Sequence, residues 1–360
     1  MRVVVLLALL LAVVVYMASF ADAMNAIPGK QKRFITRRQP KTPEQMAIKQ
    51  EILSKLSPLR LPVGTASSGC GNAGPGFPVG QQTQATMMMP TGPREFLVYV
   101  PPSYNFTHPS GVQFTFHGLG DNCHNFIDAT DFKPYADQTG YILIAPCGTV
   151  GLLLENAWNS GECCGFLDEQ HPNDFLFARN MVQNISNSMC VDTTKIVATG
   201  FSNGAFMSEV LGCESPDLFR GVAAVSGVVE LRPGNDAAIA RCSENITMST
   251  RRPEILLVHG DLDLVVPWTG ESVLGFPTVP KDAEGWYTRN GCNPNPTQTL
   301  NLTYYTNQVW NNCNGWGGTP ANSVELVRHH DGGHVWPDDS EMDVSNYIFN
   351  WMMRLWQKPV

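Results

Sequence analysis

No two of the ten cysteines in this 360-residue chain stand in C-x-x-C spacing, so the usual thiolate signature of a structural zinc site is missing. Beyond residue 23 no apolar run approaches the roughly 20 residues needed to span a bilayer. Basic residues are scarce in the body of the chain. Of 24 Lys and Arg, 10 fall within residues 1–60 beside 3 of the 32 Asp and Glu, which leaves 14 basic against 29 acidic residues and a net charge of −15 in residues 61–360. A body that acidic excludes nucleic acid as the expected partner, because phosphate binding needs a basic face. There is no internal repeat and no low-complexity linker leading to an accessory binding module.

What is present sets the compartment. Arg2, a run of about sixteen apolar residues and the small-x-small site "ADA" read as a secretory signal cleaved after Ala23, with a membrane anchor as the rival reading. The expectation is a secreted, extracellular protein with no membrane contact after cleavage. An even set of ten cysteines in such a chain would oxidise, forming up to five disulfides. Cys292 with Cys313 makes a sensible local loop, while the adjacent Cys163 and Cys164 are each expected to bond elsewhere. Sequons at Asn105, Asn184, Asn245 and Asn301 suit a secreted glycoprotein. Residues 24–60 are basic and Pro-containing, and read as a disordered linker or propeptide with Arg37 and Arg38 as a processing site.

From residue 61 onward the pattern is that of one α/β domain, with 43% hydrophobic residues overall and enough chain to bury a core. The segments "REFLVYV", "VQFTFHG", "YILIAP", "KIVATG", "VAAVSG", "EILLVHG" and "VELVRH" read as strands, and "VSNYIFNWMMRLW" as a last amphipathic helix. Strands alternating with helices predict a mostly parallel sheet covered by helices on both faces.

Within this pattern "VATGFSNGAFMSEVLG" runs from a strand through a serine flanked by glycines into a helix. A serine at the tip of a sharp strand-to-helix turn needs neighbours without bulk two positions away, and Gly200 and Gly204 meet that need around Ser202. An ordinary turn serine is the plainer reading. A nucleophilic serine requires a base and an acid to orient the base, and proteins with such an elbow carry them in the chain order serine, acid, histidine. "EILLVHGDLDLVVP" offers Asp261 or Asp263 after a strand, and "HHDGGHVWP" offers His334 in a glycine-rich loop. Aspartate after a strand is more often a turn cap, and His259, His329 and His330 read as packing or surface residues. Two backbone donors for an oxyanion are expected, one from Asn203 after the serine and one from Leu119 in "FTFHGLGDN".

Taken together and in order, "HGLGD", "AWNSGECCG", "PNDFLFARNMV", "VDTTKIVATGFSNGAFMSEVLGCESPDLFRGVAAVSG", "HGDLDLVVPW" and "GGHVWP" make residues 68–356 resemble the extracellular polyhydroxybutyrate depolymerase and feruloyl esterase family, the carbohydrate esterase family 1 branch of the α/β-hydrolases. The resemblance implies an α/β-hydrolase fold, Ser202 as nucleophile, His334 as general base and Asp263 as the orienting acid. Asp263 is preferred to Asp261 because the family pattern HG-x-x-D-x-x-VP aligns there. It implies a serine esterase with no metal and no cofactor, acting on esters of a polysaccharide or polyester, and gives Asp174 a structural place. Trp158 and Trp336 are the candidates for lining a substrate cleft, with Trp310 and Trp316 behind them. These rings favour a feruloyl substrate over hydroxybutyrate or acetyl esters. A catalytically inactive binding protein of the same fold is the reading from another class, and a serine peptidase a third. The sequence departs from the family at Asn173-Asp174, where two adjacent aspartates are common, and in the long segments around residues 270–296 and 303–320. Oligomeric state is not legible.

Overall fold

The computed structural model describes residues 64–358, apart from 73, 75, 152–154, 162–171, 230–241, 247, 272–274, 319 and 339–341. The expected signal segment 1–23 and basic segment 24–60 lie outside the described residues, as do Cys163 and Cys164.

Ten strands form one sheet in the order β1-β2-β4-β3-β7-β8-β9-β12-β11-β10. Its centre is parallel and comprises β4 (Ile142–Pro146), β3 (Ser110–Phe116), β7 (Val191–Phe201), β8 (Gly221–Val225), β9 (Glu254–Gly260) and β12 (Asn322–His329). Antiparallel pairs flank it: β1 (Gln81–Met89) and β2 (Gly92–Val100) on one side, β11 (Tyr305–Cys313) and β10 (Gln298–Asn301) on the other. All seven strands expected from sequence are in this sheet. β1, β10 and β11 were not anticipated, and the reason is physical: β1 alternates exposed and half-buried residues, and β10 is exposed throughout, so neither shows the apolar run of a buried strand. The short β5 (Thr149–Val150) and β6 (Asn156–Ala157) form a separate two-stranded ribbon beside the site.

The period of two along each central strand sends alternate side chains to opposite cores. Val197, Leu256, Val258 and Val327 join one core, packed under α1 (Cys123–Ala129), α2 (Lys133–Thr139) and α6 (Val344–Gln357). Ile196, Ala198, Ile255, Leu257 and Leu326 face the other side, under α3 (Asp174–Ser188), α4 (Asn203–Glu214) and α5 (Val279–Arg289). Each fully buried Val, Leu, Phe or Met contributes roughly 1.5–3 kcal/mol from the water-excluded area alone. The helices begin where side chains can satisfy their free amides: Asn173 accepts from Leu176 N–H, Thr278 from Lys281 N–H and Asp343 from Asn346 N–H. No helix among the described residues is long and apolar enough to cross a membrane.

The eight described cysteines pair as Cys70–Cys190, Cys123–Cys147, Cys213–Cys242 and Cys292–Cys313. The last is the local loop expected from spacing. The expected bonding of Cys163 and Cys164 falls outside the described residues.

Candidate active site

β7 ends at Phe201 and α4 begins at Asn203, so Ser202 is the whole of the turn between them. Its backbone has φ 53° and ψ −124°, a left-handed conformation that a side-chain-bearing residue adopts only when its surroundings enforce it. The enforcement comes from the flanking glycines. A Cβ on Gly200 would fall inside the Gly204 carbonyl, and a Cβ on Gly204 would fall inside the Phe116 and His117 carbonyls at the end of β3. The helix therefore starts in contact with the neighbouring strand, and the Ser202 hydroxyl stands at the C-terminal edge of the parallel sheet, where open α/β sheets bind ligands.

The other two groups arrive from the loops after β9 and β12. Leu262 N–H donates to Gly332 O at 2.9 Å and Asp261 N–H to His329 O at 3.0 Å, which ties the two loops together. In this arrangement the Ser202 hydroxyl lies 2.9 Å from His334 Nε2, and His334 Nδ1 lies 2.8 Å from Asp263 Oδ2. One neutral tautomer satisfies both bonds, with Nδ1–H donating to the carboxylate and the bare Nε2 accepting from the hydroxyl. The second carboxylate oxygen of Asp263 accepts from Val265 N–H at 2.8 Å and Val266 N–H at 2.9 Å. Burial alone would raise the Asp263 carboxyl, but the adjoining His334 and hydrogen bonds from His259 and His334 hold it well below the usual carboxylate range. It stays ionised beside the imidazole. Asp261 instead pairs with Arg328 Nε at 2.9 Å and accepts from Asp331 N–H at 2.8 Å, a loop-bracing role.

On the β3 side, Gly118 borders the serine: a Cβ there would sit 3.4 Å from Ser202 Cβ. Leu119 follows it in the loop. Asn203 is the first residue of α4, where the amide has no partner inside the helix. The Asn203 side chain is wholly buried and braces the loop after β6, accepting from Trp158 N–H at 2.7 Å and donating to Trp158 O and Ser160 Oγ.

The tryptophans require correction. Trp158 is 0% exposed, its ring edge-on to Phe116 and its indole N–H donating to His117 O at 2.8 Å, so it forms a wall behind the site and lines no cleft. Trp336 is also buried, between Phe126 and Phe132, with its N–H on Ser345 Oγ. Trp310 and Trp316 are buried as well. The physical reason is common to all of them: a large ring gains more from core packing than from a water-facing rim, and each site offers space, in most cases with an acceptor for the indole N–H. Among the described residues, Leu262 and Leu264, on either side of Asp263 in the chain, are large apolar residues left exposed. Sequence reading also missed the ion pair of Arg94 with Asp174 at 2.8 Å, buried on both sides, whose carboxylate holds Asn159 N–H at 2.7 Å and so fixes the loop carrying Trp158. "PNDF" was the only signal for it. Among the described residues no group of three His, Cys, Asp or Glu is placed to hold a metal.

A parallel sheet covered on both faces, with a strained serine at its C-terminal edge, in hydrogen-bonding reach of a histidine and then a carboxylate, defines an α/β-hydrolase. A family model described as Phospholipase/Carboxylesterase matches residues 109–274, which reach from β3 through the loop of Asp263. Among curated relatives, the probable feruloyl esterase C of Aspergillus niger is 27% identical over 294 residues, covering 78% of this chain and 88% of that one. The feruloyl esterase C of Emericella nidulans is 25% identical, covering 75% and 84%. The feruloyl esterase B of Piromyces equi is 25% identical over 67% of this chain, which spans 42% of that longer protein. Among solved structures, an acetyl xylan esterase from Aspergillus awamori superposes with a TM-score of 0.58 at 19% identity, over 76% of this chain and 100% of that one. A mutant of the feruloyl esterase module from Clostridium thermocellum, complexed with sinapinate, gives 0.51 at 12% identity over 76% and 87%. The chain has the α/β-hydrolase fold and is a carboxylic ester hydrolase similar to the feruloyl esterases.

Proposed function

We propose that the enzyme cleaves hydroxycinnamoyl esters of plant cell-wall polysaccharide through a Ser202 acyl-enzyme, with His334 as general base and Asp263 as its orienting acid. The observation that carries this reading is the pair of hydrogen bonds at 2.9 and 2.8 Å linking hydroxyl, imidazole and carboxylate. As Ser202 Oγ attacks the ester carbonyl, its proton passes to His334 Nε2 and the carbonyl electron pair moves onto oxygen. The amides of Asn203 and Leu119 receive that oxyanion. When the tetrahedral species collapses, the C–O bond to the alcohol breaks and Nε2 returns the proton to the departing alkoxide. Water then repeats the sequence on the acyl-enzyme, freeing the carboxylic acid and Ser202. Every proton is accounted for by the side chains named, so the chemistry requires no metal or cofactor.

The aromatic acyl group rests on the kinship with feruloyl esterases, and not on the four tryptophans, which are buried. Leu262 and Leu264, exposed on either side of Asp263 in the chain, are the apolar side chains we assign to pack against a hydroxycinnamoyl ring. The apolar amino-terminal run and the four disulfides among the described residues support a secreted, extracellular enzyme. Two measurements test the proposal. A fluorophosphonate probe is expected to label the wild type and not Ser202→Ala. Methyl ferulate is expected to be hydrolysed faster than p-nitrophenyl acetate or hydroxybutyrate oligomers; if only the oligomers are cleaved, the substrate assignment fails while the mechanism stands.

A further inference from the structure

Residues 290–324 contain no Asp, Glu, Lys or Arg, although residues 61–360 as a whole carry a net charge of −15. This uncharged stretch supplies β10 and β11, the last two strands of the sheet. β10 pairs with β11 from Gln298↔Val309 to Asn301↔Thr306, and among the described residues no strand lies beyond it. Its four residues are exposed throughout. Leu300, Leu302 and Tyr304 place apolar side chains 44%, 42% and 45% exposed at the same spot. A free strand edge offers unpaired N–H and C=O groups to another chain, and proteins ordinarily blunt it with a charge, a proline or a bulge. Gln298–Asn301 contains no charged residue and no proline, and its register with β11 runs without a bulge. The edge therefore needs a different guard.

The same stretch holds one N-x-S/T sequon, Asn301-Leu302-Thr303, since Asn295-Pro296-Thr297 is barred by its proline. Asn301 closes β10, and Asn301, Leu302 and Thr303 are all exposed. Leu302 N–H donates to Tyr305 O at 2.9 Å, so the sequon runs into the turn that joins β10 to β11. Asn301 Oδ1 accepts from Thr306 Oγ1 at 3.2 Å, which holds the amide by its oxygen, whereas a glycan is carried on the nitrogen. We propose that Asn301 carries an N-linked oligosaccharide that covers the free edge of the sheet at β10. In the transfer, Asn301 Nδ2 bonds to the anomeric carbon of a lipid-linked oligosaccharide diphosphate. The C–O bond to the diphosphate breaks, the lipid diphosphate leaves with the electron pair, and the amide gives one proton to solvent. Four strand residues span about 13 Å, so a branched, hydrated chain rooted at one end reaches the whole edge. Such a chain keeps a second strand from the separation of about 4.8 Å that pairing requires. The inference rests on the secreted location given under the proposed function, and on neither the substrate nor the acyl-enzyme.

The full chain, secreted from a yeast host through its own amino terminus, is treated with peptide-N-glycosidase in oxygen-18 water, which converts each occupied asparagine to labelled aspartate. Peptide mass spectrometry is expected to find the label at Asn301, and its absence there overturns the proposal. Label at Asn105 or Asn184 without Asn301 leaves the secreted location standing while this inference fails; label at none of the four sequons overturns both. Sedimentation velocity then compares wild type with Asn301→Gln. The variant is expected to self-associate, its weight-average mass rising about twofold or more with concentration while that of wild type stays constant. Adding Thr299→Lys, which puts a charge on the bare edge, is expected to reverse the association. An Asn301→Gln chain whose mass stays as constant as that of wild type, or association that Thr299→Lys leaves intact, overturns the proposal. If Asn301→Gln is not secreted, trimming the glycans of folded wild type and folded Thr299→Lys with an endoglycosidase makes the same comparison. Association confined to the trimmed wild type supports the proposal; association in both, or in neither, overturns it.

Discussion

His259 Nε2 stands 3.4 Å from Asp263 Oδ2 while donating to Val266 O at 2.7 Å. The acid of the site is thus enclosed by a second imidazole and two backbone amides before it meets His334, and its orientation is set independently of the base. Asp263→Asn keeps this shape but turns a donor toward His334 Nδ1 and inverts the tautomer. We predict a fall in kcat of about 10⁴-fold with little change in thermal stability, and Asp261→Asn within about tenfold of wild type. Steady-state kinetics on methyl ferulate would check both, and similar losses in the two variants would sink the assignment of the acid.

A methyl group at Gly204 has nowhere to go, since the carbonyls of Phe116 and His117 occupy the space and are fixed by the sheet. Gly204→Ala is expected to destabilise by several kcal/mol, in the range of severe overpacking. The expected readout is insoluble expression or a large drop in melting temperature; a soluble, fully active Gly204→Ala would show that the helix can retreat from β3.

Behind α4, Glu209 and Asp282 face each other in full burial, with Trp286 Nε1–H on Glu209 Oε2 at 2.7 Å and Arg289 stacked on the Trp286 ring at 4.3 Å. Burial raises both carboxyls, Asp282 to about 6, so together they retain a proton that the unfolded chain would release. The folded state binds the proton more tightly, so this contribution is fully present below the unfolded carboxyl range and is lost as pH rises through about 6. Melting temperature is therefore predicted to fall between about pH 5 and about pH 8, and to fall less in Glu209→Gln, which is neutral at both. An equal decline in variant and wild type would contradict the shared proton.

Cys70–Cys190 closes a loop of sequence separation 120, the longest among the described disulfides, and joins the start of the described chain to the entry of β7. In the chain-entropy picture its removal costs on the order of 3–5 kcal/mol. The double variant Cys70→Ser, Cys190→Ser should melt well below wild type while retaining kcat in the folded fraction, because the bond is remote from Ser202 in the chain and braces only the strand's far end. Calorimetry paired with active-site titration would test it; unchanged stability would rule out the bracing role.

The amino-acid order by itself determined the central six strands, the elbow and the succession of serine, aspartate and histidine. These are written locally: buried strands are continuous apolar runs, and a turn that admits no side chains must be flanked by glycine. The choice between Asp261 and Asp263 required a family pattern, since two aspartates in one turn have the same local chemistry. Only the tertiary structure decided that Asp261 braces Arg328 and Asp331 while Asp263 turns inward, and that Trp158 and Trp336 are walls and not cleft linings. The reason is that side-chain direction at these positions is fixed by partners many residues away in the chain. A ring or carboxylate goes where packing volume and hydrogen-bond partners coincide, and that coincidence exists only once the sheet has brought distant loops to one edge.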